Sequence, residues 1–148
     1  MGKDNDEGLI EAKELAKYII NTSPRRMSNL ELQKTMYFVE LDYYKQTGKH
    51  LVDENFEAWQ YGPVVPDVYE KYRKYGPDLI ERTKENIPLD GVNIDVIDKT
   101  VGRCCNTRIW DLIEESHRSD GAWQKTIDSN SRTINKKWIA EESKKYGR

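Results

Sequence analysis

The sequence predicts a mainly α-helical fold, an α+β arrangement of about six helices with a short β-hairpin or strand near residues 50–61. Apolar residues recur at intervals of three and four in several stretches, the period of a helix with a buried face. Residues 56–61 instead alternate with a period of two, which favours a strand. A length of 148 residues without a repeat or a clear linker predicts one compact domain, 1–148, with residues 1–7 frayed.

The charge balance argues against nucleic acid and membranes as partners. The chain has 24 basic and 26 acidic residues and a net charge of −2, so no global positive field attracts polyanions. No apolar run is long enough to cross a bilayer, and the polar, acidic start does not resemble a secretory signal. Cys104 and Cys105 are adjacent, a spacing that disfavours a disulfide. We therefore expect reduced thiols and a cytoplasmic protein.

An apolar face predicts the first helix, and a start signal predicts the second. The face of the first comprises Leu9, Ala12, Leu15, Ala16, Ile19 and Ile20. Ser28 followed by Glu31 is the pattern of a capping box, and Gly48 is placed to end the helix that it opens. Two apolar stripes follow Ser28, so the second helix should be central and buried on more than one side. Lys34 and Glu40 are expected on its polar remainder.

Residues 56–69 form the least ordinary stretch, a strand followed by a stiff corner and a helix start. Gly62 and Pro63 should end the strand, because proline has no amide hydrogen for a ladder. Each proline disfavours helical angles in the residue before it, so Gly62 and Val65 should be extended. Pro66 fits the first turn of a helix that runs to about residue 75.

Local signals also divide the rest of the chain. Gly76 is suited to a left-handed helix cap, and residues 87–91 predict a turn. A short helix is predicted by the spacing of Ile94, Ile97, Val101 and Cys104. Asn106 or Thr107 should cap the next helix, which ends at residues 117–121 and buries Ile109, Leu112 and Ile113. Asn135 should open a last helix that carries Trp138, Ile139 and Tyr146.

His117 is the best single candidate for catalytic chemistry, since Glu114 and Asp120 could orient it as a base. A histidine at a helix C-terminus also bonds the last carbonyls and interacts favourably with the helix dipole, and we favour that structural interpretation. His50 is expected in a surface loop. Two distant histidines without ligand spacing predict neither a metal site nor a cofactor.

Aromatic residues near the corner suit either a packing hub or a protein-binding hot spot, where tryptophan and tyrosine are enriched. They are Trp59, Tyr61, Tyr69 and Tyr72. No nucleophile, metal ligand or phosphate-binding glycine run lies in residues 56–69. Arg25, Arg26, Lys34 and the cations of 132–148 could touch phosphates, but no helix-turn-helix with a basic recognition helix is evident.

Four pieces of the chain, in this order, resemble the Panacea antitoxin domain family, which includes SocA-like antitoxins and phage-associated proteins of the GepA type. They are residues 32–38, Gly48, residues 56–69, and Ser116-His117 with Ala122-Trp123, and the most specific part is residues 57–66. The likeness spans about residues 9–146. Three positions depart from the family, whose members often carry lysine, leucine and proline where this chain has Glu31, Thr35 and Ala122.

The resemblance implies a mainly helical fold, no catalysis, and an antitoxin that neutralises a cognate toxin by direct protein contact. The residues expected to shape the partner-facing region, by contact or by support, are Lys34, Tyr37, Trp59, Tyr61, Gly62, Pro63, Val64, Pro66, Tyr69, His117 and Trp123. Two alternatives stay open. One is a proteolytic adaptor that delivers a bound client to a protease, and the other is a small enzyme centred on His117.

Overall fold

One long helix lies at the centre of the fold. The computed structural model describes residues 7–85 and 88–148. Its α-helices are α1 (Ala12–Thr22), α2 (Asn29–Thr47), α3 (Pro66–Tyr72), α4 (Ile94–Cys105), α5 (Ile109–Ser116), α6 (Ala122–Asp128) and α7 (Lys136–Tyr146). Strands β1 (Glu57–Trp59) and β2 (Gly62–Val64) precede α3, and a 3-10 turn at Arg73–Tyr75 follows it. The mainly helical prediction is confirmed. None of the helices described is long and apolar enough to cross a membrane.

Helix α2 begins and ends as its sequence predicts. The Ser28 hydroxyl accepts a hydrogen bond from the Glu31 amide at 3.2 Å, and the Glu31 carboxylate accepts one from the Ser28 amide at 3.1 Å. Gly48 ends the helix in the left-handed conformation, with φ 74°. Five helices, α1, α3, α4, α5 and α7, contact α2, as does β2. Burial on several sides is therefore confirmed.

The predicted polar side of α2 is not found at Lys34 and Glu40. Lys34 and Glu40 are both buried, with 0% and 1% of their surface exposed, because neighbouring elements cover every side of this part of the helix. Glu40 accepts hydrogen bonds from the amides of Leu51 and Val52 at 3.1 and 2.8 Å, and its other oxygen lies 2.7 Å from His50 Nδ1. The prediction of a surface His50 is therefore also wrong, since this ring is buried against its carboxylate partner.

Gly62 and Pro63 do not end the strand but begin its antiparallel partner. Pro63 pairs with Ala58 in the hairpin. The Ala58 amide turns away and donates to the Arg132 carbonyl at 2.8 Å, so Pro63 occupies a position where the ladder needs no donor. Gly62 has φ 115° and is not extended as expected. Val65 is extended, and Pro66 opens α3, as predicted.

Elsewhere, Asn135 caps α7 and α4 lies where expected, but several details differ. Leu9 is exposed and precedes α1. Helix α5 follows Arg108 and has no side-chain cap, while the Thr107 hydroxyl bonds back to α4. Gly76 has a positive φ but not the left-handed helical conformation. Helix α6 is additional to the predicted helices. Residues 1–6 of the expected frayed start and Ile87 of the expected turn lie outside the described residues.

Candidate functional site

Polar side chains of α2 hold the hairpin and the start of α3 from beneath. The Lys34 amine donates to the Pro63 carbonyl at 2.6 Å. The Gln33 side chain accepts a hydrogen bond from the Val65 amide at 3.0 Å and donates to Asn29 at 3.1 Å. Asn29 in turn donates to the Tyr69 carbonyl at 3.1 Å. One face of α2 thus fixes the backbone on both sides of the corner.

Lys34 is buried without a carboxylate partner among the described residues. No ion pair of Lys34 is found within the described ranges, 7–85 and 88–148. Burial lowers the pKa of its amine to about 7, because an apolar environment disfavours the charged form.

Gly62 allows this close contact between the hairpin and α2. A Cβ atom at Gly62 would lie 2.7 Å from Ser116 Oγ and 3.0 Å from Lys34 Cε. The Ser116 hydroxyl is fixed by a hydrogen bond to the Ile113 carbonyl at 2.8 Å. Glycine is thus required here both by the space and by the positive φ.

His117 and Trp123 support the hairpin from another direction. Their rings stack with centroids 3.8 Å apart and planes 3° from parallel. The Trp123 indole donates to the Trp59 carbonyl at 2.7 Å, which joins α6 to the hairpin. The backbone amide of His117 bonds the Ile113 and Glu114 carbonyls, so the residue does terminate α5.

Among the described residues, no carboxylate is hydrogen-bonded to the His117 ring. Its Nε2 atom is buried without a hydrogen-bond partner in the part of the chain described, and Asp120 instead bonds the Tyr146 hydroxyl at 2.7 Å. Burial, and then the nearby charge of Lys34, lower the pKa of His117. Residues 7–85 and 88–148 also contain no group of three or more histidine, cysteine, aspartate or glutamate side chains placed to hold a metal ion.

Aromatic rings cover the outer side of the hairpin and form a feature that we call the tip surface. It consists of Trp59, Tyr61, Tyr69 and Trp110. Trp59 meets Tyr69 edge to face with centroids 5.0 Å apart, and Tyr61 meets Trp110 in the same way at 6.5 Å. Tyr61 is 48% exposed and Trp110 is 67% exposed. A groove of about 330 Å³ is lined by Trp59, Tyr61 and Tyr69 together with Leu30 and Arg73.

Nearly all of the predicted site residues gather around the hairpin. Strand β2 contains Gly62, Pro63 and Val64, and the hairpin is supported by Lys34, His117 and Trp123. On its outer side lie Trp59, Tyr61 and Tyr69, and Pro66 opens α3. Tyr37 is the exception. It lies in the core between α2 and α7, where its hydroxyl bonds Glu142.

Trp110 was not among the predicted residues. The apolar face of α5 comprises Leu112 and Ile113, with Ile109 partly buried, and Trp110 lies out of phase with it. A tryptophan outside the apolar period of its helix is the signal that could have identified it.

Comparison with known proteins identifies the class of protein. A family model described as "Antitoxin SocA-like, Panacea domain" matches residues 32–124, a range that begins in α2, ends in α6 and contains the hairpin. The chain belongs to this SocA-like, Panacea domain family, which confirms the resemblance drawn from the motifs. It is 31% identical over 136 residues to Antitoxin SocA of Caulobacter vibrioides (strain NA1000 / CB15N), covering 80% of this chain and 71% of that protein. No solved structure matches the chain.

Proposed function

We propose that this protein is a cytoplasmic antitoxin that neutralises a cognate toxin by direct protein contact, without catalysis of its own. Membership of the SocA-like antitoxin family supports the class of function. The observation that carries the mode of action is the tip surface, where Tyr61 and Trp110 expose large aromatic rings side by side. Tryptophan and tyrosine are enriched among the few residues that contribute most of the binding energy at protein interfaces.

The support beneath the hairpin favours tight binding at this surface. The Lys34, Gln33 and Trp123 side chains each hold a backbone atom of the hairpin or the corner. A surface held in place before binding loses less conformational entropy when a partner docks, so more of the contact energy appears as affinity. The adjacent groove, with Leu30 on one side, offers room for an apolar side chain of the toxin.

Co-expression with the product of the adjacent reading frame tests this function. We expect that product to arrest growth alone and wild-type protein to restore growth. The double variant Y61A/W110A should fail to restore growth and should bind the purified toxin at least about 30-fold more weakly, the effect of losing hot-spot contacts worth about 2 kcal/mol. Its melting temperature should stay near the wild-type value, because both side chains are exposed.

I127A is the matched control, since Ile127 is an exposed apolar residue on α6 that is not part of the tip surface. It should restore growth fully. A neighbouring product that is harmless alone, or that stays toxic beside the wild type, would refute the antitoxin function. Full activity of Y61A/W110A would place the toxin contact elsewhere.

The lifetime of the toxin separates neutralisation by contact from delivery to a protease. If contact alone is sufficient, the toxin half-life in cells should not shorten when this protein is present. A shortened half-life that depends on this protein would indicate the adaptor function instead.

A further inference from the structure

Lys34 is the one buried lysine among the residues that the structure describes, and the fold gives its amine an incomplete set of partners. A charged ammonium group has three donors. The amine has one hydrogen bond in the described structure, to the Pro63 carbonyl. A buried charge without a counter-charge is costly, and each unsatisfied donor adds to the cost. The hairpin is therefore closed over a group that water would solvate far better in its charged form.

The position of this amine makes it the contact that seats the hairpin on α2. Its Nζ atom would lie 3.2 Å from a Cβ at Gly62, and it bonds the next residue, Pro63, directly. Gly62 closes the two-residue turn at the tip, because it pairs with Trp59 across the hairpin. Because β1 and β2 are paired, movement of the Pro63 carbonyl away from Lys34 would pull on Trp59 and Tyr61 together, against the hold of the Trp123 indole on the Trp59 carbonyl.

We infer that Lys34 is a positioning residue for the tip surface, and that a proton gained by its amine favours lifting of the hairpin from α2. In the lifted state, water reaches the amine and the aromatic rings lose the arrangement that a partner would recognise. The relevance of this movement to a partner rests on the proposed function, but the movement itself is a property of the free protein.

The residues that contact the amine or lie next to it carry no titrating side chain. Strand β2 presents Gly62 and Pro63, and α5 presents Ser116, none of which titrates. His117 at the end of α5 is affected by the Lys34 charge, and its pKa is lowered from 6.5. Tyr37 lies about one turn further along α2, and its hydroxyl donates to Glu142 on α7, whose pKa is raised by burial.

Proton linkage fixes the direction of the effect. The amine has a pKa of about 7 when buried, against 10.5 in water. Between these values the lifted state binds the proton more strongly than the closed state, so lowering the pH favours lifting and raising the pH favours closure. One proton changes the lifting equilibrium by up to tenfold per pH unit in this window.

Amide hydrogen exchange of free wild-type protein from pH 6 to pH 9 measures the lifting. The Val65 amide reports on it because it bonds Gln33 beside the hairpin. After correction for the intrinsic exchange rate, the opening constant at Val65 should be nearly constant below pH 7 and fall by up to tenfold per unit above it. The 13C shift of Lys34 Cε should titrate with the same midpoint.

K34M removes the amine and K136M is its matched control, since Lys136 also donates to a backbone carbonyl, that of Val52 at 2.8 Å. The slope at Val65 should vanish in K34M and persist in K136M.

A flat wild-type profile, or a slope that survives in K34M, would overturn the inference. If K34M does not fold, the wild-type Cε titration decides: a midpoint near 10.5, or one near 7 without a change at Val65, would also overturn it. Growth rescue by the wild type tests the antitoxin function, and hydrogen exchange tests the lifting of the hairpin. A failure of one proposal can therefore be distinguished from a failure of the other.

Discussion

At the scale of single residues, Gly62 shows how strongly one backbone position constrains the site. Its φ of 115° is unfavourable for any residue with a Cβ, and the space beside it is already filled by Ser116 and Lys34. Each of these two conditions alone would select glycine. Glycine at this position allows the hairpin backbone to lie directly against α2, and a larger residue would prevent that contact.

Replacing Gly62 with alanine should therefore destabilise the protein by about 2–4 kcal/mol, the sum of backbone strain and steric overlap. Denaturant unfolding gives the free energy of unfolding. G102A is the matched control, because Gly102 lies within α4 and nothing lies within 4 Å of its Cβ position. That change should stabilise the protein by about 0.5–1 kcal/mol. Equal effects of the two substitutions would contradict the account of Gly62.

Single residues are also where the sequence was most misleading. Lys34, Glu40 and His50 were assigned to the surface because charged and polar side chains are seldom buried without partners. Their partners are a carbonyl 29 residues away for Lys34, and two amides and a ring at 10 to 12 residues for Glu40. Such partners are defined only by the folded chain, so no periodicity within α2 could reveal them.

At the scale of elements, the joint between α5 and α6 depends on the stacked His117 and Trp123 rings. The His117 ring lies at the end of α5 and the Trp123 ring at the start of α6. The Trp123 indole also donates a hydrogen bond to the Trp59 carbonyl in the hairpin. The ring of His117 matters here as a flat surface, since its Nε2 atom bonds no residue described in the structure.

H117A should accordingly lower the free energy of unfolding by about 1–3 kcal/mol, through loss of ring contact. H117F keeps a flat ring and should stay within about 0.5 kcal/mol of the wild type. The lowered pKa of His117 means that the unfolded chain binds a proton more readily, so wild-type stability should fall as the pH drops below 6.5. H117F should lack that contribution.

Growth rescue distinguishes the structural role of His117 from a chemical one. H117F should neutralise the toxin as the wild type does, because the ring alone is needed. A stable H117F that cannot neutralise the toxin would instead favour chemistry at the imidazole.

Most elements could be predicted from the sequence, and the two failures have physical causes. The capping box at Ser28 and the Asn135 cap are local signals, and both are confirmed. Helix α6 spans seven residues and buries only Ala122 and Thr126 within its own length, too few to show a helical period. A hairpin or strand was expected only as far as residue 61, and the second strand, Gly62–Val64, was missed because Pro63 normally excludes a ladder. The outward direction of the Ala58 amide, which makes Pro63 acceptable there, is not visible in the sequence.

At the scale of the whole molecule, Tyr37 joins parts of the chain that are far apart. Its hydroxyl donates to Glu142, 105 residues away on α7. The same carboxyl group accepts the Ala122 amide at the start of α6 at 3.0 Å and lies 3.0 Å from Arg118 Nε. Burial raises the pKa of Glu142, against the opposing effect of these bonds. One carboxyl group therefore ties α7 and α6 to the central helix.

Y37F should destabilise the protein by about 1–3 kcal/mol, because it leaves a buried carboxyl group short of one donor. The midpoint of urea unfolding measures this loss. Y61F removes a hydroxyl from an exposed ring of the same kind and should change stability by less than about 0.5 kcal/mol. Similar losses in the two variants would show that the Tyr37 contact does not secure α7.

The outer rings of the tip surface take little part in the hydrogen bonds that seat the hairpin on α2. Tyr61 lies in the two-residue turn of the hairpin, and Trp110 lies in the first turn of the short helix α5. Neither position supports the backbone beneath it. If the proposed function holds, we expect mutations at these two positions to change which toxin is bound while the scaffold underneath keeps its shape. Grafting the equivalent pair from a relative would be a direct route to altered partner choice.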